Sequence, residues 1–205
     1  MLSSRVPTRF VDCRVSNFDP TVSASTKKAV EAADEFLGGS ITGLVLVGPP
    51  GSGKTHIAAA IVNEIVERNR QEHQAAVAAM TDTYPRIPLD PMWSNVADLI
   101  VQLRLDMDRP KDDRIAAAFA SELRTHRALV VLDDLGREKV SDWTGETVYS
   151  IVNARYEERL PTIVTSNLTP DTLAASSYWT SISRIAEDGR LIAFRDTPDR
   201  RIRRA

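Results

Sequence analysis

The chain has 205 residues, 42% hydrophobic and 26% charged, with a formal net charge of -2. Its one cysteine, Cys13, excludes an internal disulfide and a cysteine-rich zinc site, and no apolar run approaches the roughly 18 residues of a membrane span. The N-terminus "MLSSRVPTRF" lacks the apolar centre of a signal peptide, so a cytoplasmic protein built on a single domain is expected, and the near-neutral total leaves room for a local basic face.

In chain order, Ser23 to Leu37 reads as a helix ended by Gly38 and Gly39, residues suited to a left-handed cap. A strand follows from Leu44 to Val47, then a helix from about Gly53 to Arg68, on which Ile57, Ile61 and Ile65 recur every fourth residue. Ala75 to Met80 is predicted as a second strand. "TYPRIPLDPM", with Pro85, Pro88 and Pro91, fits neither a helix nor a central strand, so it is predicted as a surface loop. Val96, Leu99, Ile100, Leu103 and Met107 mark the next helix, capped by Asn95 or Ser94. Leu129 to Leu132, Thr162 to Thr165 and Leu191 to Phe194 complete the strands. Alternation of short apolar strands with helices predicts right-handed βαβ units around a parallel sheet. The tail "RDTPDRRIRRA" carries Arg195, Arg200, Arg201, Arg203 and Arg204, a pattern open to two readings, a solvated terminus or a phosphate contact.

Three segments carry chemistry. Gly48, Pro49, Pro50, Gly51, Ser52, Gly53, Lys54 and Thr55 match G-x-x-x-x-G-K-[ST] between a strand and a helix. There glycines let backbone N–H groups face phosphate oxygens beside the positive end of the helix. Lys54 is expected to neutralise the β- and γ-phosphates and Thr55 to offer its hydroxyl to Mg²⁺. "ALVVLDDLG" ends an apolar strand on two carboxylates, with Asp133 expected to hold the metal and Asp134 to activate water. "TIVTSN" brings Thr165, Ser166 and Asn167 to the same edge, where the Asn167 amide suits the attacking water or the γ-phosphate, although Ser-Asn is also an ordinary turn pair.

With "NFDP" (17–20), "GPPGSGKTHIAAAI" (48–61), "LDDLGREKVSDWTGETVYSIVNARYEERLPTIVTSNL" (132–168) and "SRI" (183–185) in order, the chain resembles the AAA+ ATPases of the bacterial helicase-loader family, DnaC and DnaI, and the related transposition helper IstB. The resemblance covers roughly residues 9 to 201. It implies a three-layer α/β/α P-loop NTPase (AAA+) core with a central five-stranded parallel sheet and no sizeable helical lid. Residues 1–16 would be an N-terminal extension and 196–205 a basic tail.

The resemblance also implies ATP or ADP with Mg²⁺ as ligands, Phe18 and Pro20 beside the adenine, and Asn167 as sensor of the γ-phosphate. Arg184 would be the finger supplied to a neighbouring subunit, hence self-association, and Arg200 or Arg201 falls near a second sensor. His56 follows the loop threonine as in the family and is placed with the nucleotide-binding residues, as a packing neighbour. The implied partners are a replicative helicase and single-stranded DNA. Residues 95–126 correspond to the family's DNA-gripping insertion, but Arg104, Arg109, Lys111 and Arg114 alternate with Asp106, Asp108, Asp112 and Asp113, and Trp93 and Phe119 are the only aromatics at its borders. The family's helicase-docking region precedes its core, whereas sixteen residues precede "NFDP" here. An Asp-Asp pair in place of the commoner Asp-Glu implies slow turnover. Two alternatives remain open, a transposition helper on duplex DNA and a nucleotide-gated adaptor without useful hydrolysis.

Overall fold

The computed structural model describes residues 5–79, 89–138 and 141–199. Helix α1 (Ala24–Leu37) starts where the Ser23 hydroxyl accepts the Thr26 N–H at 3.2 Å while the Ser23 N–H donates to the Thr26 hydroxyl at 3.0 Å. It stops at Gly38, and Gly39 takes the left-handed conformation, φ 74°. Strand β1 (Gly43–Val47) is buried along its whole length. Leu44 and Leu46 pack against α1 and α2 (Lys54–Ala78), and Val45 and Val47 against the helices of the other face.

That opposite face is covered by α3 (Val96–Met107), α5 (Asp142–Glu157) and α7 (Trp179–Glu187), with α4 (Ile115–Thr125) beyond α3 and a short α6 (Pro170–Ala174). A strand buried on both faces needs no alternation, which is why these strands read as continuous apolar runs. Each such side chain contributes roughly 1.5–3 kcal/mol of burial.

The sheet adds β2 (Met92–Asn95), β3 (Val130–Leu135), β4 (Thr162–Ser166) and β5 (Gly189–Ala193), all parallel, in the order β2-β3-β4-β1-β5. The architecture is therefore the expected helix–sheet–helix sandwich with five parallel strands. Insertion of β4 between β1 and β3 brings "TIVTSN" between the phosphate loop and the paired aspartates.

Two element assignments change. The strand expected over Ala75 to Met80 is helical as far as Ala78, the end of α2, and Met80 lies outside the described residues. "AAVA" is rich in the best helix former, and Val77 is half exposed, as suits a surface helix. The second strand is instead "MWSN", directly after Pro91 and at the sheet edge, where a preceding proline removes no ladder bond. Pro85 and Pro88 lie outside the described residues. Asn95 rather than Ser94 caps α3, its side chain accepting the Asp98 N–H at 3.1 Å.

A buried arginine ties the far end of the sheet. Arg155, on α5, donates to the carbonyls of Leu123, His126, Ala128 and Pro161 and to the Thr162 hydroxyl at 2.7–3.0 Å. Burial pulls its guanidinium down to about 10. These bonds fix the approaches to β3 and β4, whose opposite ends carry the candidate site.

Candidate nucleotide site

The loop after β1 turns on Gly51 (φ 76°) and Gly53 (φ 105°), conformations that residues with a Cβ resist. Pro49 and Pro50 carry no N–H, so amide donors toward a phosphate come from Gly51 onward. They lead into the N-terminus of α2, where the helix dipole is positive, although the Ser52 N–H here donates to the Pro49 carbonyl at 3.4 Å. Lys54 is buried, and its Nζ donates to the carbonyls of Gly48 (2.9 Å) and Pro49 (2.7 Å) and to the Ser52 hydroxyl (3.3 Å). The cation is thus held against the loop it serves. Pro50, Gly51, Gly53, Lys54, Thr55 and His56 line a cleft of about 710 Å³, while Gly48, Pro49 and Ser52 form its underside through their contacts with Lys54.

Across the cleft, β3 breaks its register with β4 between Leu132 and Leu135, and Asp134 takes the left-handed region at φ 65°. This bulge turns adjacent carboxylates, which a regular strand would send to opposite faces, toward one cleft. Thr165 stitches the bulge, donating its hydroxyl to Asp133 Oδ1 at 2.6 Å and accepting the Asp134 N–H at 3.0 Å. The Thr55 hydroxyl donates to the same Asp133 oxygen at 3.3 Å. Asn167 Nδ2 donates to Asp134 Oδ1, and Arg137 Nη1 reaches Asp134 Oδ2 at 3.1 Å.

Burial pushes the Asp133 carboxyl up, against the opposing hydrogen bond from Thr165, and the neighbouring Asp134 charge adds to the rise. A divalent cation would relieve both, and a carboxylate beside a hydroxyl is the oxygen donor set Mg²⁺ prefers. Among the described residues no group of three or more His, Cys, Asp or Glu side chains could hold a metal unaided. That fits an ion completed by water and phosphate oxygens.

On the opposite wall Phe18 is 2% exposed, and a Cβ at Gly53 would stand 2.5 Å from its ring. His56 packs on Phe18 with ring centroids 5.2 Å apart, and its Nε2 faces two acceptors, Asn17 Oδ1 (2.9 Å) and the Arg14 carbonyl (3.3 Å). Asn17 Nδ2 is already turned to the Asp12 carbonyl, so Nε2 carries the proton. His56 therefore fastens the Phe18 segment to α2.

Arg184 stands apart from this cleft, on α7, over the rings of Tyr149 (4.7 Å) and Tyr156 (5.6 Å), and donates to Asn153 Oδ1. Arg200, Arg201, Arg203 and Arg204 lie outside the described residues, and Arg195 is exposed. In the helical pair α3–α4 the border aromatics turn inward, Trp93 at 2% exposure and Phe119 half-buried against the core. Asp106 is buried and accepts the Ala116 and Ala117 N–H groups at the head of α4, a structural task.

Sequence reasoning left Arg9, Phe10, Asn95 and Arg137 out of the cleft lining and gave Thr165 no task. Arg137 was detectable as the first charged residue beyond the aspartate pair and Gly136. Arg9 and Phe10 had no signal, since only the fold carries the N-terminal segment over α2.

A phosphate-type loop ahead of a dipolar helix, with β4 between it and an acidic strand, defines an α/β P-loop NTPase-like fold. The model of the IstB-like ATP binding protein family matches residues 17–177, and the chain belongs to that family. It is 26% identical over 132 residues to the replicative helicase loader DnaI of Bacillus subtilis (strain 168), a match covering 64% of this chain and 35% of DnaI. The chain spans between about a third and a half of the curated relatives it matches. The crystal structure of the DnaC helicase loader superposes with a TM-score of 0.69 at 26% identity, covering 91% of this chain and 99% of that one. AMPPCP-bound DnaA from Aquifex aeolicus shares the fold, with a TM-score of 0.63 at 20% identity over 92% of this chain and 50% of that one. No helix among the described residues is long and apolar enough to cross a membrane.

Proposed function

We propose that the chain binds ATP with Mg²⁺ in this cleft, hydrolyses it slowly, and uses the nucleotide state to govern assembly with single-stranded DNA and a replicative helicase in the cytoplasm. The observation that carries the reading is the unbroken contact path from Thr55 through Asp133 and Thr165 to Asp134 and Asn167. It sets a metal-type carboxylate beside the phosphate loop and a second carboxylate one residue further out.

Loop amides and Lys54 hold the β- and γ-phosphates, with Lys54 exchanging loop carbonyls for phosphate oxygens. Thr55 and Asp133 supply the oxygens for Mg²⁺. When bound, the ion neutralises developing phosphate charge. Asp134 accepts a proton from the attacking water at a carboxylate oxygen, and Asn167 orients that water or the γ-phosphate. Phe18 walls the base, kept in place by His56. Arg184, remote from its own cleft, serves the cleft of a neighbouring copy. Similarity to the helicase loaders DnaI and DnaC supports a helicase as partner, and single-stranded DNA is proposed from the sequence resemblance.

The test is ATP turnover, with and without single-stranded DNA, for Lys54→Ala, Asp134→Asn and Arg184→Ala. Loss in all three is expected, and wild-type turnover in all three would overturn the assignment. The family match favours a second reading, a transposition helper, and preference for duplex over single-stranded DNA with stimulation of a transposase would select it.

A further inference from the structure

Arg137 lines the nucleotide cleft two residues beyond the bulge, and its side chain is 71% exposed while its partner Asp134 is 20% exposed. Its guanidinium meets Asp134 Oδ2 at 3.1 Å, and the other oxygen of that carboxylate is taken by Asn167. Each oxygen expected to receive a water proton therefore already accepts one hydrogen bond, which competes with an attacking water. The Asn167 amide is a neutral donor with a second role at the cleft, whereas Arg137 brings a full charge on a long, solvent-facing side chain.

We propose that Arg137 is a γ-phosphate-binding residue that exchanges Asp134 for the terminal phosphate of ATP, and so frees the carboxylate only when a γ-phosphate is present. The inference rests on the ATP-binding reading above and adds a cation that the reading did not use. Two physical arguments and one observation drive it. An exposed ion pair with one carboxylate is weak, so little holds the guanidinium at Asp134. A terminal phosphate offers a planar fork more charge and a bidentate geometry, the interaction arginine makes best. Lys54 is tied to the Gly48 and Pro49 carbonyls on the loop side, so a described cation on the carboxylate side balances the charge from the opposite flank.

The consequence is a built-in ordering. With ADP, Arg137 remains on Asp134 and the base is engaged. With ATP, the guanidinium leaves for the γ-phosphate, Asp134 Oδ2 becomes free to accept the water proton, and after release of phosphate the pair closes again.

The experiment is calorimetric titration of the full chain with AMP-PCP and with ADP, each with Mg²⁺, for the wild type, Arg137→Gln and Arg137→Lys. A charged contact made to the γ-phosphate alone gives the wild type a ratio of AMP-PCP to ADP affinity that Arg137→Gln lowers about tenfold. ADP affinity should stay unchanged, with Arg137→Lys intermediate. Because the side chain is exposed, both variants should melt with the wild type. A ratio that is unchanged, or affinities for both nucleotides that fall together, overturns the proposal. A ratio that rises makes Arg137 a lock on Asp134 with no phosphate contact and also overturns it. Failure of the wild type to bind either nucleotide would instead remove the ATP-binding reading on which the inference stands.

Discussion

Replacing Arg155 with methionine keeps most of the side-chain volume and deletes every donor. Four carbonyls and the Thr162 hydroxyl then lose the arginine donor, while the Pro161 carbonyl keeps the Val130 N–H at 3.0 Å and the Thr162 hydroxyl keeps its bond to the Leu160 carbonyl. Hydrogen bonds from a charged donor are worth about 1.5–3 kcal/mol each, and an unsatisfied buried acceptor costs about 1–3 kcal/mol. Burying the guanidinium is itself unfavourable, as its lowered value of about 10 records, and this offsets part of the loss. The net expected destabilisation is about 3–5 kcal/mol, the cost of leaving two or three buried acceptors unsatisfied, less the relief of the desolvated charge. For a chain of this size each kcal/mol moves the melting temperature by about 2–4 °C, so a fall of roughly 10 °C is expected. Thermal unfolding followed by far-UV circular dichroism measures it, with Arg155→Ala as companion. If carbonyl satisfaction is the operative term, methionine should be nearly as harmful as alanine. A methionine variant melting within about 2 °C of the wild type would show that Arg155 only fills space, and would refute the reasoning.

Asp133→Asn should raise the melting temperature in EDTA at neutral pH while abolishing the stabilisation that Mg²⁺ gives to nucleotide binding. The sign follows from the raised carboxyl: its contribution is full below the ordinary value of 3.8 and is lost as pH rises through the higher folded value, so the metal-free protein at neutral pH carries a charge it disfavours. The gap between variant and wild type should therefore narrow in acid, and a variant that melts lower in EDTA would contradict this account. Gly53→Ala forces a side chain into a φ of 105° and 2.5 Å from the Phe18 ring. Strain of about 1–3 kcal/mol and a displaced base wall should lower ADP affinity more than tenfold, and calorimetric affinity within about twofold of wild type would disprove it. Mixing Lys54→Ala with Arg184→Ala subunits should restore part of the turnover that each lacks, because each supplies what the other is missing; a mixture as inactive as its components would argue against a finger acting between copies.

How much of this was legible in the sequence varied with the physical origin of each feature. Strands β1, β3 and β4 were readable because they are buried on both faces and spell themselves as apolar runs ending on chemistry. Asn95 was readable as a cap because capping depends on local side-chain bonds, whereas Ser23, read as the first residue of its helix, proves to be the cap. "AAVAAM" misled because alanine and valine are apolar in either state and the deciding fact, exposure of Val77, belongs to the tertiary structure. "MWSN" is too short for any period to register. Asp133 and Asp134 could be named, but not the bulge that turns both toward one cleft, since a register slip depends on the neighbouring strand. Thr165 was visible only as one polar residue among three, and its two hydrogen bonds, donated to Asp133 and accepted from the Asp134 N–H, come from β4 lying between β1 and β3. Arg155 gave no signal, because its partners are backbone carbonyls.

The phosphate loop is also the place where opposite stretches of the chain converge. Phe18 abuts Gly53, the Asp199 carboxylate abuts Gly51, and the Thr197 hydroxyl bridges to Ser23 and Ser25 at 3.1 Å. Residues separated by nearly the whole described length thus share one small contact zone, and anything that reshapes the loop must tug on both at once.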